Sequence, residues 1–298
     1  MKPHLVVLAL MGSHSHGTYL PPEEPDAIDD VDLLGFVVPP LPFHLGLLRW
    51  EPWCLQVDEL DVVLYSLEKA VRLLLKSNPN ILGVLWLRDE EYVYRHPVFE
   101  LLRARRDIFS SQAAAEAFAG YAYAQLQRME AFSLERMAEY EALATLIRQH
   151  GPLTEVLEAD AAKLRHLAAT WRLEADTLTR FRKLHREHFS GYMGEKRKAM
   201  VRRYQYDVKN AAHLIRLLRM GAEFLTSGRL QVYRTTDAEE LKQIKRGRWT
   251  LEQVKAEAKR LFAGIEEAQE RSPLKPEPDA EAANDLLMQM HRAILGLA

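Results

Sequence analysis

The stretch Leu5 to Thr18, LVVLALMGSHSHGT, decides how the rest of the chain is read. LVVLAL is a continuous apolar run bounded by a glycine, and a run of that length reads as a buried strand. It stops at Gly12-Ser13. Glycine there lets the backbone approach a bound group closely, and the serine hydroxyl with its neighbouring amides supplies donors suited to a phosphate. His14 and His16 follow in the same loop, in reach of the same phosphates. The next strand candidate, Asp32 to Val38 (DLLGFVV), is closed by Pro39 and Pro40 and opens on acids. Asp30 and Asp32 are two residues apart, a spacing that puts both side chains on one side of a strand. Asp29-Asp30 is the alternative pairing, but Asp30 and Asp32 lead directly into the apolar run. Leu60 to Tyr65 (LDVVLY) is a third strand candidate, and Asp61 at its start supplies a third carboxylate, with Asp58 and Glu59 close by.

Carboxylates so clustered repel. Two unit charges at about 4 Å cost on the order of 4 kcal/mol at an effective dielectric near 20. A divalent cation is the usual counter-charge, and Mg²⁺ (or Mn²⁺) takes oxygen ligands partly from phosphate. An apolar strand ending in Gly-Ser, a D-x-D opening the next strand and an Asp opening a third form a constellation for metal-assisted phosphoryl chemistry.

Totals set the class. The chain has 298 residues, 48% of them apolar, which is enough for a packed core. No apolar run approaches the roughly 20 residues of a membrane span, and the weak basic start gives no secretory signal, so a cytoplasmic protein is expected. The one cysteine, Cys54, excludes an internal disulfide and is expected to be a small buried hydrophobe. The net charge of −2 hides an asymmetry: residues 1–60 hold nine Asp/Glu against two Lys/Arg, and residues 181–220 hold eleven Lys/Arg against three Asp/Glu.

Farther along, Ser66 caps a helix whose apolar positions Leu67, Val71, Leu74 and Leu75 recur at helical spacing. Asn78-Pro79-Asn80 stops it, and ILGVLWL forms another short helix. Beyond Ser110 the chain is rich in Ala, Leu, Glu and Arg. The expected organisation is α+β: a small mixed-sheet domain over 1–108, then a mostly helical domain over 109–298 with a long helical hairpin at about 112–188. Tyr204 to Leu225 reads as one helix, Leu230 to Tyr233 (LQVY) as a short strand, and Tyr121 and Tyr123 as core. On the Tyr204 helix, Lys209, His213 and Arg216 share a face with Tyr206 and Asn210, with Lys196 and Lys198 just upstream. This basic face is expected to neutralise a triphosphate or an RNA backbone, which an acidic catalytic region would otherwise repel.

The motifs GS…DVD…LDVV, with KSNPNILGVLW (Lys76 to Trp86), FAGYAYAQL (Phe118 to Leu126), YQYDVKNAAHLIRLL (Tyr204 to Leu218), IKRGRW (Ile244 to Trp249) and SPLKPEPD (Ser272 to Asp279), resemble the DNA-polymerase-β-like nucleotidyltransferase superfamily, and within it the RNA-repair-associated branch. The resemblance implies transfer of a nucleoside monophosphate from an NTP with Mg²⁺. Carried over by position, Gly12 and Ser13 hold triphosphate, and Asp30, Asp32 and Asp61 hold metal. His14 stands where such proteins often have Arg. The acceptor implied is an RNA end; an alternative is a hydroxyl of a partner protein, and another is a non-catalytic RNA-binding protein with a vestigial pocket.

Overall fold

The structure, a computed structural model, describes residues 2–24, 27, 31–57, 60–131, 134–174, 176–189 and 195–297; the side chains of residues 57, 130, 131, 134, 187–189 and 195–198 lie outside the description. Asp30, with Asp29, Asp58 and Glu59, falls outside the described residues.

The N-terminal strands are β1 (His4–Leu10), β2 (Val31–Val38), β3 (Trp53–Val57), β4 (Leu60–Ser66) and β5 (Tyr92–Arg95). They form one mixed sheet in the order β3-β4-β2-β1-β5. β1 is antiparallel to both β2 and β5, β3 is antiparallel to β4, and β2 runs parallel to β4. The three strands anticipated from apolar runs are the central ones. The two edges were not anticipated: β3 leaves Trp53, Cys54, Leu55 and Gln56 exposed, and β5 is a four-residue strand with Val93 and Tyr94 exposed. Cys54 is therefore exposed, not buried, because it sits on an edge strand.

Short helices α1 (Gly12–Ser15) and α2 (Pro42–Leu45) lie in the first two connections. Then α3 (Leu67–Leu75) follows β4 without a loop. The Ser66 hydroxyl accepts from the Lys69 amide at 3.2 Å, satisfying an amide the helix itself leaves open. Its buried side chains Leu67, Ala70, Val71 and Leu74 pack on β2 and β4, each leucine contributing about 1.5–3 kcal/mol by burial. Asn78 caps α4 (Pro79–Gly83), and α5 (Phe99–Ala104) follows β5.

The rest is helical: α6 (Ala114–Ala131), α7 (Leu134–Arg148), α8 (Leu153–Glu158), α9 (Ala161–Trp171), α10 (Thr177–Phe189), α11 (Glu195–Tyr204), α12 (Val208–Ser227), α13 (Ala238–Lys245), α14 (Leu251–Glu270) and α15 (Ala280–Leu295). The chain forms two compact units, Met1–Ala124 with Ala212–Ala298, and Gln125–Ala211. The sequence boundary at 108 had placed 212–298 with the helices; in the structure that segment packs with the sheet, α15 lying on α3.

In place of the expected long hairpin over 112–188, the described residues of that span form five helices. Pro152, which has no amide hydrogen, precedes α8, Asp160 caps α9 through the Lys163 amide at 2.7 Å, and Arg172 ends α9 with φ 54°. The core of this second unit gathers Ile147, Val156, Leu167 and Leu178 around Tyr140 and Phe181, whose rings stack at 5.3 Å. Two further expectations are corrected. Tyr204 to Leu225 is not one helix: α11 ends at Tyr204, Gln205 takes φ 70°, and Asp207 caps α12 through the Asn210 amide at 3.0 Å. Leu230 to Tyr233 is irregular, because the Val232 carbonyl meets the His16 ring and forms no ladder.

Candidate functional site

β1 delivers the chain to the sheet end where β2 and β4 begin. The Met11 amide donates to the Asp32 carbonyl at 2.8 Å, so the pairing of β1 with β2 continues to the last residue before Gly12. Gly12 then turns with φ +63°, a conformation that costs other L-residues about 1–2 kcal/mol. A Cβ on Gly12 would overlap Asp32 Oδ2, so the glycine backbone and the carboxylate are in direct apposition. The loop closes on itself: Ser15 Oγ donates to the Gly12 carbonyl at 3.1 Å and the Thr18 amide to the Ser13 carbonyl at 2.9 Å. Ser13 is half-buried, and its hydroxyl makes no hydrogen bond among the described residues.

Asp32 and Asp61 are register partners of the parallel β2–β4 pair. Directly paired residues of neighbouring strands point to the same face with backbones about 4.8 Å apart. Both aspartates are half-exposed, and the Asp61 carboxylate has no ion pair or hydrogen bond among the described residues. Gln56 lies opposite Asp61 on β3, a neighbour that the sequence pattern did not single out. Among the described residues no group of three His, Cys, Asp or Glu is placed to hold a metal, and Asp30 is not one of those residues. The donor set present, two adjacent carboxylates, fits a hard divalent cation whose remaining ligands come from elsewhere.

The loop bearing Gly12 and Ser13 is held from the far end of the sequence. The Arg234 amide donates to the His16 carbonyl at 3.2 Å, and Lys245 Nζ donates to the Thr18 carbonyl at 2.8 Å. Arg246 grips Glu24 through two bonds of 2.8 and 2.9 Å. Arg234 is 1% exposed and fully engaged, with two bonds of 2.6 Å to Glu223 and one of 2.8 Å to Asp237. Burial works against the Arg234 charge, but these carboxylates overcome that and raise its pKa. Burial likewise pushes Asp237 up, and the guanidinium groups of Arg234 and Arg219 more than reverse the effect.

His16 Nδ1 lies 3.0 Å from the Val232 carbonyl, which assigns the ring proton to Nδ1 as donor. Burial first, and the nearby Arg216 charge second, push the His16 pKa well below its ordinary value. Arg216 Nη1 is 3.5 Å from that same Nδ1 and 3.2 Å from Met220 Sδ. With the His16 proton on Nδ1, neither neighbour is a good acceptor. Arg216 has no carboxylate bond among the described residues, and burial followed by repulsion from Arg234 lowers its pKa to about 9.

The structure thus brings together Gly12, Ser13, Asp32 and Asp61, and sets Arg216 behind the His16 end of the loop. The His14 ring stacks on Tyr19 at 4.0 Å. The basic face expected on α12 to meet a triphosphate or an RNA backbone is largely covered: Tyr206, Asn210 and Arg216 are buried, and Lys209 and His213 are half-buried. A helical wheel records polarity, not what covers it. Lys196 and Lys198 lie on α11 with their side chains outside the description, and they belong with Lys209 to the second unit. Tyr121 and Tyr123, expected in the core, are exposed. Arg234, Lys245 and Arg246 were missed; the Arg-x-x-Asp spacing of Arg234 and Asp237 was the available signal.

No curated protein matches the chain. Among solved structures, a nucleotidyltransferase-like protein from Exiguobacterium sibiricum 255-15 aligns over 98% of this chain and 75% of its own, with 9% identity and a TM-score of 0.25. Residues 3–141, which contain the whole sheet, Gly12, Ser13, Asp32 and Asp61, match the model of the RlaP family, described as RNA repair pathway DNA polymerase beta family.

Proposed function

We propose that the protein is a divalent-metal-dependent nucleotidyltransferase that moves a nucleoside monophosphate from an NTP to an acceptor hydroxyl at an RNA end. The observation that carries this reading is the parallel register of Asp32 with Asp61, with the Gly12 backbone lying against the Asp32 carboxylate. Asp32 and Asp61, with Asp30, would hold Mg²⁺ or Mn²⁺. When bound, such an ion supplies charge stabilisation at the phosphates and lowers the pKa of a coordinated hydroxyl.

The chain's own residues do the rest. Gly12 leaves room for phosphate oxygens beside Asp32, and Ser13 donates its hydroxyl to them. Arg216, a buried cation lacking a carboxylate, gains in the triphosphate the counter-charge that the fold withholds. The acceptor oxygen bonds to the α-phosphorus as the bond to the bridging α–β oxygen breaks, pyrophosphate leaves with that electron pair, and Asp61 would receive the hydroxyl proton. Catalysis here is positioning plus fixed charge, with no covalent enzyme intermediate. Lys196, Lys198, Lys209 and His213 are proposed as further cations toward phosphates.

Incubation with α-phosphate-labelled NTPs, Mg²⁺ and single-stranded RNA tests the reading. Label is expected on RNA, and Asp32→Asn or Asp61→Asn is expected to abolish it while the far-UV circular dichroism is unchanged. Full transfer by either variant would overturn the assignment, and label on protein instead of RNA would move the acceptor to a partner's hydroxyl.

A further inference from the structure

A groove of about 910 Å³ opens on the first unit, between the C-terminal half of α12, the loop after it and the C-terminal half of α14. Trp86 forms one wall. The Arg106 guanidinium lies 5.3 Å from the centre of its ring, and Phe224 meets it edge-on at 5.7 Å, so the indole is held in place. Arg229 and Arg271 line the groove, both exposed, and neither guanidinium has an ion pair or hydrogen bond among the described residues. Of the carboxylates there, Glu223 is taken up by Arg234 in two bonds of 2.6 Å, which leaves Glu267 against two unpaired cations.

Gly264 sits inside α14, where glycine is the least favourable ordinary residue short of proline. Packing does not explain it: a Cβ at this position would meet nothing within 4 Å. It faces the groove and keeps that wall open.

We propose that this groove is a second nucleotide-unit site, for single-stranded RNA, distinct from the NTP site. An aromatic wall offers a face on which any base can stack, and paired cations at the rim suit the phosphates on either side of it. A protein helix would use the small floor but would leave two guanidinium groups unanswered. The loop after α12 joins the two sites physically. Arg229 and Gln231 line the groove, while the next residue, Val232, holds the His16 ring through its carbonyl, and the Arg234 amide holds the His16 carbonyl. RNA lying in the groove therefore bears on the loop that carries Gly12 and Ser13.

The inference rests on the nucleotidyltransferase reading only in taking RNA as the acceptor class. Its test is binding of a fluorescein-labelled single-stranded RNA of roughly ten nucleotides, followed by anisotropy without NTP or divalent metal. Gly264→Gln fills the groove from a position with open space. It is expected to keep or raise the thermal midpoint and to weaken RNA binding at least about tenfold. The double variant Arg229→Ala/Arg271→Ala is expected to weaken binding and to reduce the slope of log K against log salt by about 1.4. Wild-type affinity and salt slope in both variants would overturn the proposal and leave the groove to a protein segment. Failure here leaves nucleotidyl transfer standing, since Asp32→Asn tests transfer alone and is expected to retain RNA binding.

Discussion

Replacing Gly12 by alanine separates the contribution of this residue to the site from its contribution to the fold. The substitution adds two costs. At φ +63° an alanine pays about 1–2 kcal/mol against its preferred backbone conformation. Its Cβ would also overlap Asp32 Oδ2, and turning that carboxylate off its rotamer costs a further 0.5–1.5 kcal/mol or so. The sum, roughly 1.5–3.5 kcal/mol, corresponds to a fall of about 3–14 °C in the thermal midpoint for a domain of this size. The unit would remain folded. Nucleotidyl transfer is a different matter, because the displaced group is the carboxylate itself. A misplacement near 1 Å in a catalytic constellation costs about 100-fold. Thermal melts by circular dichroism, paired with labelled-NTP transfer assays, read both effects. Gly264→Ala is the control, since its Cβ meets nothing within 4 Å and α14 gains helix propensity, so its midpoint is expected to rise. If Gly12→Ala melts with the wild type and transfers at the wild-type rate, the apposition of Gly12 and Asp32 has no bearing on catalysis and the reasoning fails.

Arg216→Met is expected to stabilise the protein by about 1–3 kcal/mol, because it removes a buried charge without a carboxylate, and to weaken NTP binding by roughly 10- to 100-fold; a less stable variant with unchanged NTP affinity would contradict this role. Arg234→Ala is expected to destabilise by about 3–5 kcal/mol, measured by urea unfolding, because it strands Glu223 and Asp237; a loss under about 1 kcal/mol would show that the network does not hold the loop. His16 takes its proton in the unfolded chain near pH 6.5 and in the folded chain only well below that. Its contribution is therefore present above pH 6.5 and lost as pH falls below it, at no more than about 1.4 kcal/mol per pH unit. His16→Gln is expected to flatten that acid limb, and an unchanged slope in urea melts across this range would remove His16 from the account.

The central strands were legible because each is a short apolar run, and Asp32 and Asp61 stand at the mouths of two of them. That these two residues are register partners comes from the pairing of β2 with β4, which no local pattern records. Edge strands carry less. β3 presents Trp53, Cys54 and Leu55 to the outside, so no alternation marks it, and the buried position expected for Cys54 followed from composition alone. The segment Leu230 to Tyr233 has the residue types of a strand, but the contacts of Val232 and Arg234 with His16 pin it as a support for the loop that bears Gly12 and Ser13 instead. The sequence groups Arg216 with Lys209 and His213 on one basic helix face. Its burial beside His16 depends on contacts spanning 200 residues of sequence, which no local periodicity records. The same holds for Lys245 and Thr18.

The account turns on a cation and a triphosphate meeting at the mouths of β2 and β4. A crystal grown with a non-hydrolysable NTP and Mn²⁺, with anomalous diffraction recorded, locates both at once. A manganese peak between the Asp32 and Asp61 carboxylates, with phosphates against Gly12 and Ser13, is the expected result. Manganese elsewhere, or a nucleotide bound away from Gly12 with that carboxylate pair holding nothing, would contradict it.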